Sequence, residues 1–131
     1  MLLTNDWKKS IIYQKVISHR ANLFGPNPNR ENKISAIEEV ISKNIDVEVD
    51  IYVQNGDLFL GHDYPETPIN ISFLNRYASH LWIHCKNKPA LAYLMHFNRQ
   101  HHNILNFFFH QQDECTITTH NYIWTFANTE L

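Results

Sequence analysis

The chain has 131 residues, a length that predicts a single domain over residues 1–131. Hydrophobic residues make up 44% of the chain and charged residues 18%, which is ordinary for a globular protein, and no apolar run approaches the ~20 residues that a membrane span needs. The net charge of −2 lacks the basic excess of a nucleic-acid-binding protein, so no nucleic acid partner is expected.

The first half of the chain shows the patterns of a strand, a helix and a β-hairpin. Isoleucine and valine recur at helical spacing in one segment, whereas the next segment alternates strictly between polar and apolar residues. Asn55-Gly56 is the strongest short signal for a tight hairpin turn. In chain order, the predicted elements are a strand at 13–18, a loop at 22–32, a helix at 33–43 and a β-hairpin at 46–62.

The second half continues the alternation of helices and strands. In chain order, its predicted elements are a short helix capped by Ser72 at 72–77, a strand at 81–85, a helix at 89–99, a strand at 104–109 and an extended segment at 116–126. This alternation predicts βαβ units and a mainly parallel sheet. In such folds, ligands bind at the carboxyl ends of the strands.

Polar side chains cluster at or beyond these strand ends. The residues concerned are His19, Arg20, Glu48, Asp50, His84, Lys86 and His110. Glu48 and Asp50 share one face of their strand, about 7 Å apart along the backbone, and burying both would require a countercharge such as a divalent cation. The alternative is that this face points to solvent on an edge hairpin.

The other polar pairs also have two interpretations. His19-Arg20 combines a group that exchanges protons near neutral pH with a cation suited to phosphate oxygens, or it is a surface or capping pair. His84 and Lys86 combine a candidate metal ligand with a cation, or His84 is a buried, hydrogen-bonded histidine beside an exposed lysine. The sequence pattern alone leaves both alternatives open.

The position of His62 depends on the hairpin turn. A two-residue turn at Asn55-Gly56 places His62 opposite Val49, on the face away from the carboxylates. A three-residue loop would place it opposite Asp50. A site that contains both His62 and Asp50 therefore requires the longer loop, or a change of chain direction at Gly61.

These residues occur in an order that is itself informative. The ordered set is His19-Arg20, Glu31-Asn32, Glu48-x-Asp50, Asn55-Gly56-Asp57 and His62-Asp63. It resembles the N-terminal signature of the glycerophosphodiester phosphodiesterase family. The resemblance implies that His19 and His62 act as general acid and base, and that Glu48 and Asp50 bind Mg²⁺ or Ca²⁺.

The resemblance also implies a fold. The family forms a (β/α)8 barrel of about 250 residues, roughly twice the length of this chain. We therefore expect an α/β protein with an incomplete, half TIM-type barrel of mainly parallel strands. Such a half barrel leaves sheet edges and apolar surface open, so a homodimer is expected to cover them.

Three positions depart from the family pattern. Ala21 replaces the glycine of an HRG sequence, and Arg30 replaces the proline of PEN. His84 stands where the family has its third metal-binding carboxylate. Because histidine favours softer ions, Mn²⁺ or Zn²⁺ becomes an alternative to Mg²⁺ or Ca²⁺.

The function implied by the resemblance is metal-dependent hydrolysis of a phosphodiester, such as a glycerophosphodiester. Arg20 and Lys86 would neutralise the phosphate, and His84 would complete the metal site with Glu48 and Asp50. Two further residues have weaker roles: Glu31 would orient His19 or Arg20, or is only an acidic residue in a first helical turn, and His110 would line the site or only pack.

Two other classes of function stay open. A catalytically degenerate module would keep the phosphate pocket without turnover, and an interaction domain would match the family by chance and show scattered side chains. Cys85 and Cys115 form no CxxC pair, and the first residues lack the apolar core of a signal peptide. A cytoplasmic location is therefore expected.

Overall fold

The computed structural model describes residues 16–22, 25 and 27–125. This part of the chain folds into eight strands and three helices. In chain order, they are β1 (Ile17–His19), α1 (Ile34–Ser42), β2 (Asp46–Gln54), β3 (Asp57–Leu60), β4 (Thr67–Ile69), α2 (Ile71–Arg76), β5 (Leu81–Cys85), α3 (Lys88–Gln100), β6 (Phe107–Phe109), β7 (Cys115–Ile117) and β8 (Ile123–Thr125).

The main sheet has six strands and is built around β2. Its order is β4-β3-β2-β5-β6, and β1 also pairs with β2. Strand β5 runs parallel to β2 along one edge. The other edge of β2 is shared, because β1 pairs parallel with residues 46–48 and β3 pairs antiparallel with residues 51–54.

The shared edge of β2 changes partner at Asp50. The pairing with β1 ends at Glu48, and the pairing with β3 begins at Ile51. The backbone N–H of Asp50 instead donates to the side chain of Asn32 at 2.9 Å, and its carbonyl accepts from the N–H of Gly61 at 3.1 Å. No backbone hydrogen bond is lost at this gap between the two strands.

The helices cover one face of the sheet. Val47, Val49 and Ile51 alternate onto that face of β2 and are fully buried. They form one apolar core with side chains of all three helices, among them Ile37 and Leu94. The opposite face of β2 carries Asp46, Glu48, Asp50 and Tyr52, so alternation along this strand separates the core from the acidic face.

The C-terminal hairpin β7–β8 covers part of that acidic face. The ring centroid of Tyr122 lies 4.7 Å from that of Trp82, and the ring of Trp124 stacks on Phe108 at 4.6 Å. Both covered side chains are only 2% exposed. Together, these aromatic contacts form a small apolar cluster on the acidic face, separate from the main core on the other face of the sheet.

The predicted half barrel of mainly parallel strands is wrong. Three of the six strand pairings are antiparallel, the described residues form no closed barrel, and their helices number only three. The hairpin at Asn55-Gly56 was expected, but β4 extends it with a further antiparallel strand, and the chain after β6 forms the antiparallel hairpin β7–β8 in place of further βα units. The result is a mixed α/β fold with helices on one side of the sheet.

Several individual elements agree with the sequence patterns and others do not. The hairpin predicted at 46–62 is formed by β2 and β3, and the strand predicted at 81–85 is confirmed at those bounds. The first strand is displaced to β1, and residues 13–15 of the prediction lie outside the described residues, as does Phe126 of the predicted C-terminal segment. Within the described part, that segment forms both strands of the β7–β8 hairpin except Cys115, and β4 was not predicted.

Two other boundaries differ because of asparagine side chains. The cap of α2 is Asn70 instead of Ser72, since Oδ1 of Asn70 accepts the N–H of Phe73 at 3.1 Å. The strand predicted from residue 104 begins only at Phe107. Asn98 binds both backbone polar groups of Leu105, at 3.0 and 2.8 Å, so Leu105 cannot offer them to a strand ladder.

The expected homodimer loses one of its premises in this fold. Trp82, Phe107 and Phe108 are at most 2% exposed within the chain itself, so a second copy is not needed to cover them. The end strands β4 and β6 each pair with one strand only among the described residues. The homodimer stays a prediction on these sheet edges, and light scattering tests it: a dimer has twice the 15.5 kDa mass of the chain, and a mass of 15.5 kDa at all concentrations would contradict it.

Among the residues that the structure describes, no helix combines the length and the apolarity needed to cross a membrane.

Candidate functional site

A cavity of about 940 Å³ opens on the acidic face of the main sheet. The residues predicted for the site that line it are His19, Arg20, Glu48, Asp50, His62, His84, Lys86 and His110. Glu31 does not line the cavity; its carboxylate lies 3.5 Å from Nη1 of Arg20. The structure therefore brings eight of the nine predicted residues to one place and puts the ninth against one of them.

Strand register explains how these side chains meet. His19, the last residue of β1, is the partner of Glu48 in the parallel pairing with β2. Asp50 is the partner of His84 in the parallel pairing of β2 with β5. Directly paired residues of neighbouring strands point to the same face, so the two pairings place two histidines beside two carboxylates.

Glu48 is a buried carboxylate with incomplete hydrogen bonding. The residue is 2% exposed, and its Oε2 has no hydrogen-bond partner. Nε2 of His19 lies 3.3 Å from Oε2, without the alignment of a hydrogen bond. Burial, together with the charge of Asp50, raises the pKa of Glu48 well above its ordinary value. A positive charge at this position would compensate the buried carboxylate.

Asp50 is surrounded by donors. Its Oδ2 accepts from Nδ2 of Asn32 at 3.0 Å and lies 3.2 Å from Nδ1 of His62 and 3.4 Å from Nε of Arg20. Burial alone would raise the pKa of Asp50, but hydrogen bonds from His84 and Asn32 outweigh it and hold that pKa well below its ordinary value. Asp50 is therefore ionised at neutral pH.

The orientation of His84 is that of a metal ligand. Its Nε2–H donates to the carbonyl of His110 at 2.7 Å, so that Nδ1 faces the two carboxylates. Nδ1 lies 3.1 Å from Oδ1 of Asp50 and 3.9 Å from Oε1 of Glu48. When protonated, Nδ1 donates to Asp50, and a bound cation would take the place of that proton. Metal-binding histidines commonly donate their second N–H to a backbone carbonyl in this way.

Glu48, Asp50 and His84 together form a group that could hold a metal ion. One ligand atom from each residue lies within 4.8 Å of the other two. The buried Oε2 of Glu48 and the orientation of His84 both fit a cation at this point. The structure thus contains a candidate metal-binding group.

His62 reaches Asp50 because the chain turns at Gly61. The hairpin has the two-residue turn, with Gln54 paired to Asp57, so the longer loop is not formed. Strand β3 ends at Leu60, and the chain then leaves the ladder and directs the His62 side chain to Asp50. The hydroxyl of Tyr52 donates to the carbonyl of His62 at 2.9 Å and fixes the redirected backbone.

Replacing Gly61 by alanine should displace His62. A Cβ at this position would lie 2.0 Å from the carbonyl oxygen of Tyr64, so the backbone must shift. We expect a loss of about 1–3 kcal/mol in the free energy of unfolding, measured in urea, and changed imidazole NMR signals for His62. Gly56→Ala is the control, because at φ +82° it introduces strain without a close contact. Unchanged stability and unchanged His62 signals in Gly61→Ala would contradict the prediction.

The loop after β1 is held in an unusual backbone conformation. Arg20 and Ala21 have φ angles of 54° and 64°, in the left-handed region that favours glycine. Ala21 is fully buried, and it stands where the resembling family has glycine. The tight turn brings Arg20 to the cavity, where its Nε has no hydrogen-bond partner.

His19 is the most open of the catalytic candidates. Its side chain is 64% exposed. Partial burial, with the charge of Arg20 as the second cause, lowers the pKa of His19 below 6.5. The imidazole is therefore neutral at pH 7 and able to accept a proton.

The raised pKa of Glu48 predicts an unusual pH dependence of stability. An acid whose folded-state pKa is raised stabilises the fold below its ordinary pKa of 4.5, and this stability is lost as the pH rises through the raised value. In EDTA, the free energy of unfolding should therefore fall above pH 4.5, and Glu48→Gln should remove most of that fall. The lowered pKa of Asp50 has the opposite effect in a separate range, below its ordinary pKa of 3.8, where the free energy of unfolding decreases as the pH falls. Urea unfolding at several pH values measures both; an identical pH profile in Glu48→Gln would contradict the prediction.

Sequence reasoning missed several residues of this site. Tyr52 follows Glu48 and Asp50 at the same two-residue spacing, so the strand pattern could have placed it on their face. Asn32 belongs to the ordered motif, but no local pattern shows that it contacts Asp50. Trp124 and Gln111 line the cavity because the chain after β6 folds back over the acidic face of the sheet, and no local sequence pattern indicates this.

Comparison with protein-family models, curated proteins and solved structures finds no match for this chain.

Proposed function

We propose that the protein is a metal-dependent phosphodiesterase, similar in its chemistry to the glycerophosphodiester phosphodiesterases. The observation that carries the proposal is the convergence of His19, Glu48, Asp50, His62 and His84 on one cavity. They come from three strands and a loop. Accidental motif matches in an interaction domain would be expected to scatter such side chains over the surface.

The donor set supports a divalent cation on Glu48, Asp50 and His84. When bound there, the ion would polarise the phosphoryl oxygens of the substrate. Mg²⁺ and Ca²⁺ prefer oxygen ligands throughout, whereas an imidazole nitrogen suits Mn²⁺ or Zn²⁺. The orientation of His84 therefore favours Mn²⁺ or Zn²⁺.

Cationic side chains at the same cavity would bind the phosphate. Arg20 and Lys86 both line it, and Glu31 contacts Arg20 from outside the cavity. The Arg20 side chain is 20% exposed, and its buried Nε lies 3.4 Å from Oδ2 of Asp50, so the other guanidinium donors would be the ones to reach the phosphate. A guanidinium group is suited to phosphate oxygens because its donors form a planar fork.

The two catalytic histidines would share the proton transfers. One accepts the proton of the attacking nucleophile, and the other donates a proton to the leaving alcohol. His62 Nδ1 lies at Asp50, so its Nε2 is the ring nitrogen for proton exchange with the substrate. The neutral imidazole of His19 is open to solvent and can accept a proton, whereas the donating role would require it to be protonated first.

Hydrolysis assays on metal-stripped protein test the proposal. Bis(p-nitrophenyl) phosphate and glycerophosphocholine serve as substrates, with Mg²⁺, Ca²⁺, Mn²⁺ and Zn²⁺ supplied separately. We expect hydrolysis that requires a metal, is fastest with Mn²⁺ or Zn²⁺ and is lost in Glu48→Gln. An absence of hydrolysis of both substrates with all four ions would overturn the enzyme proposal for these phosphodiesters; phosphate binding under those conditions would favour the binding module.

A further inference from the structure

Asn32 makes a two-point contact with Asp50. Its Oδ1 accepts the backbone N–H of Asp50 at 2.9 Å, and its Nδ2 donates to Oδ2 of the same residue at 3.0 Å. Asn32 is 2% exposed, so both hydrogen bonds are shielded from water. One amide group therefore holds the main chain and the carboxylate of a single residue.

The backbone of Asn32 links this contact to the Arg20 turn. The N–H of Asn32 donates to the carbonyl of Arg20 at 3.1 Å. Asn32 has a φ of 53°, a left-handed conformation that asparagine tolerates better than most residues. The position thus combines a side chain able to donate and accept with a backbone angle that few residues adopt.

The contact decides which oxygen of Asp50 is available to a cation. Oδ2 receives Asn32 and lies beside His62 and Arg20, whereas Oδ1 lies 3.1 Å from Nδ1 of His84. A carboxylate without the Asn32 amide could turn about its terminal bond, because that torsion is broad. The amide keeps Oδ1 on the side of His84.

We infer that Asn32 is a positioning residue that fixes Asp50 for metal binding and joins it to the Arg20 turn. This inference rests on the metal site of the proposed function. Removal of a group that orients a metal ligand typically lowers metal affinity 10- to 100-fold. The same loss is expected for removal of the Asn32 side chain.

Mn²⁺ binding to Asn32→Gly tests the inference. Glycine accepts the left-handed backbone angle, so the variant removes the amide without adding strain. Asn98→Ala is the matched control, because Asn98 is 6% exposed and also binds both backbone groups of one residue, Leu105, outside the cavity. Isothermal titration of each protein with Mn²⁺ gives the Kd, and circular dichroism shows whether the variant is folded.

We expect the Kd for Mn²⁺ to rise 10- to 100-fold in Asn32→Gly and to stay within about twofold in Asn98→Ala. If Asn32→Gly does not fold, Asn32→Ser is measured in its place against the same expectation. An unchanged Kd in the folded variant, or an equal rise in Asn98→Ala, would overturn the positioning role alone. Failure of the unmodified protein to bind Mn²⁺ would overturn the Mn²⁺ site itself, and with it this inference.

Discussion

Replacing His19 or His62 by alanine should lower the rate of phosphodiester hydrolysis by about 10² to 10⁴ while leaving the protein folded. Each imidazole reaches the cavity, and each is at least one third exposed, so neither contributes a large apolar contact to the core. The expected loss is in catalysis because each variant removes a proton donor or acceptor. Single-turnover rates and urea unfolding curves, measured on the same preparations, separate the two effects.

His96→Ala is the matched control for both variants. His96 is exposed on α3 and does not line the cavity, so the rate should be unchanged. A loss of activity that occurs together with unfolding would assign His19 or His62 a structural role. A folded His62→Ala variant with full activity would contradict the two-histidine mechanism.

A divalent ion should raise the thermal stability of the protein, and the double variant Glu48→Gln, Asp50→Asn should lose that effect. The folded state gathers the ligands and the unfolded chain does not, so an ion at 100 times its Kd adds about 2.7 kcal/mol to the free energy of unfolding. For a chain of this length, the corresponding increase in Tm is on the order of 10 °C. Thermal unfolding in EDTA and in excess Mn²⁺ measures the difference.

A second double variant controls for the change in net charge. Asp57 and Glu114 are exposed and lie outside the cavity, so Asp57→Asn with Glu114→Gln should keep the full metal-induced increase in Tm. An equal metal-induced increase in Tm in Glu48→Gln, Asp50→Asn would show that these two carboxylates do not bind the metal.

The parts of the fold that the sequence predicts are those set by local pattern. Strand β2 alternates strictly, so its bounds and the shared face of Glu48 and Asp50 follow from residues 46–54 alone. Strand β5 is similarly predictable from its apolar composition. Convergence of the site depends further on parallel pairing of β1 and β5 with β2, which, together with the parallel pairing of β5 with β6, is the part of the expected parallel sheet that exists.

The remaining structure depends on contacts between distant segments. The hairpin turn was visible at Asn55-Gly56, but its sequence could not show that β4 would add to it and prevent a barrel arrangement. The direction of His62 depends on the close approach of Gly61 to Tyr64, which no periodicity reveals. In the same way, the covering of Trp82 by Tyr122 joins residues forty positions apart.

The change of partner along β2 at Asp50 has a consequence for folding. The hairpin of β2 and β3 is local and can form within about 1–10 μs, whereas the pairings with β1 and β5 require loops to close over longer stretches of chain. At the gap, Asp50 is bonded by Asn32 from one direction and Gly61 from the other. Strand β2 can therefore form early in folding, before any other segment contacts Glu48 and Asp50. The geometry of the site is complete only after β1 and β5 have paired with β2. An isolated peptide of residues 46–62 would contain Glu48, Asp50 and His62 but would lack the strands β1 and β5 that complete the site.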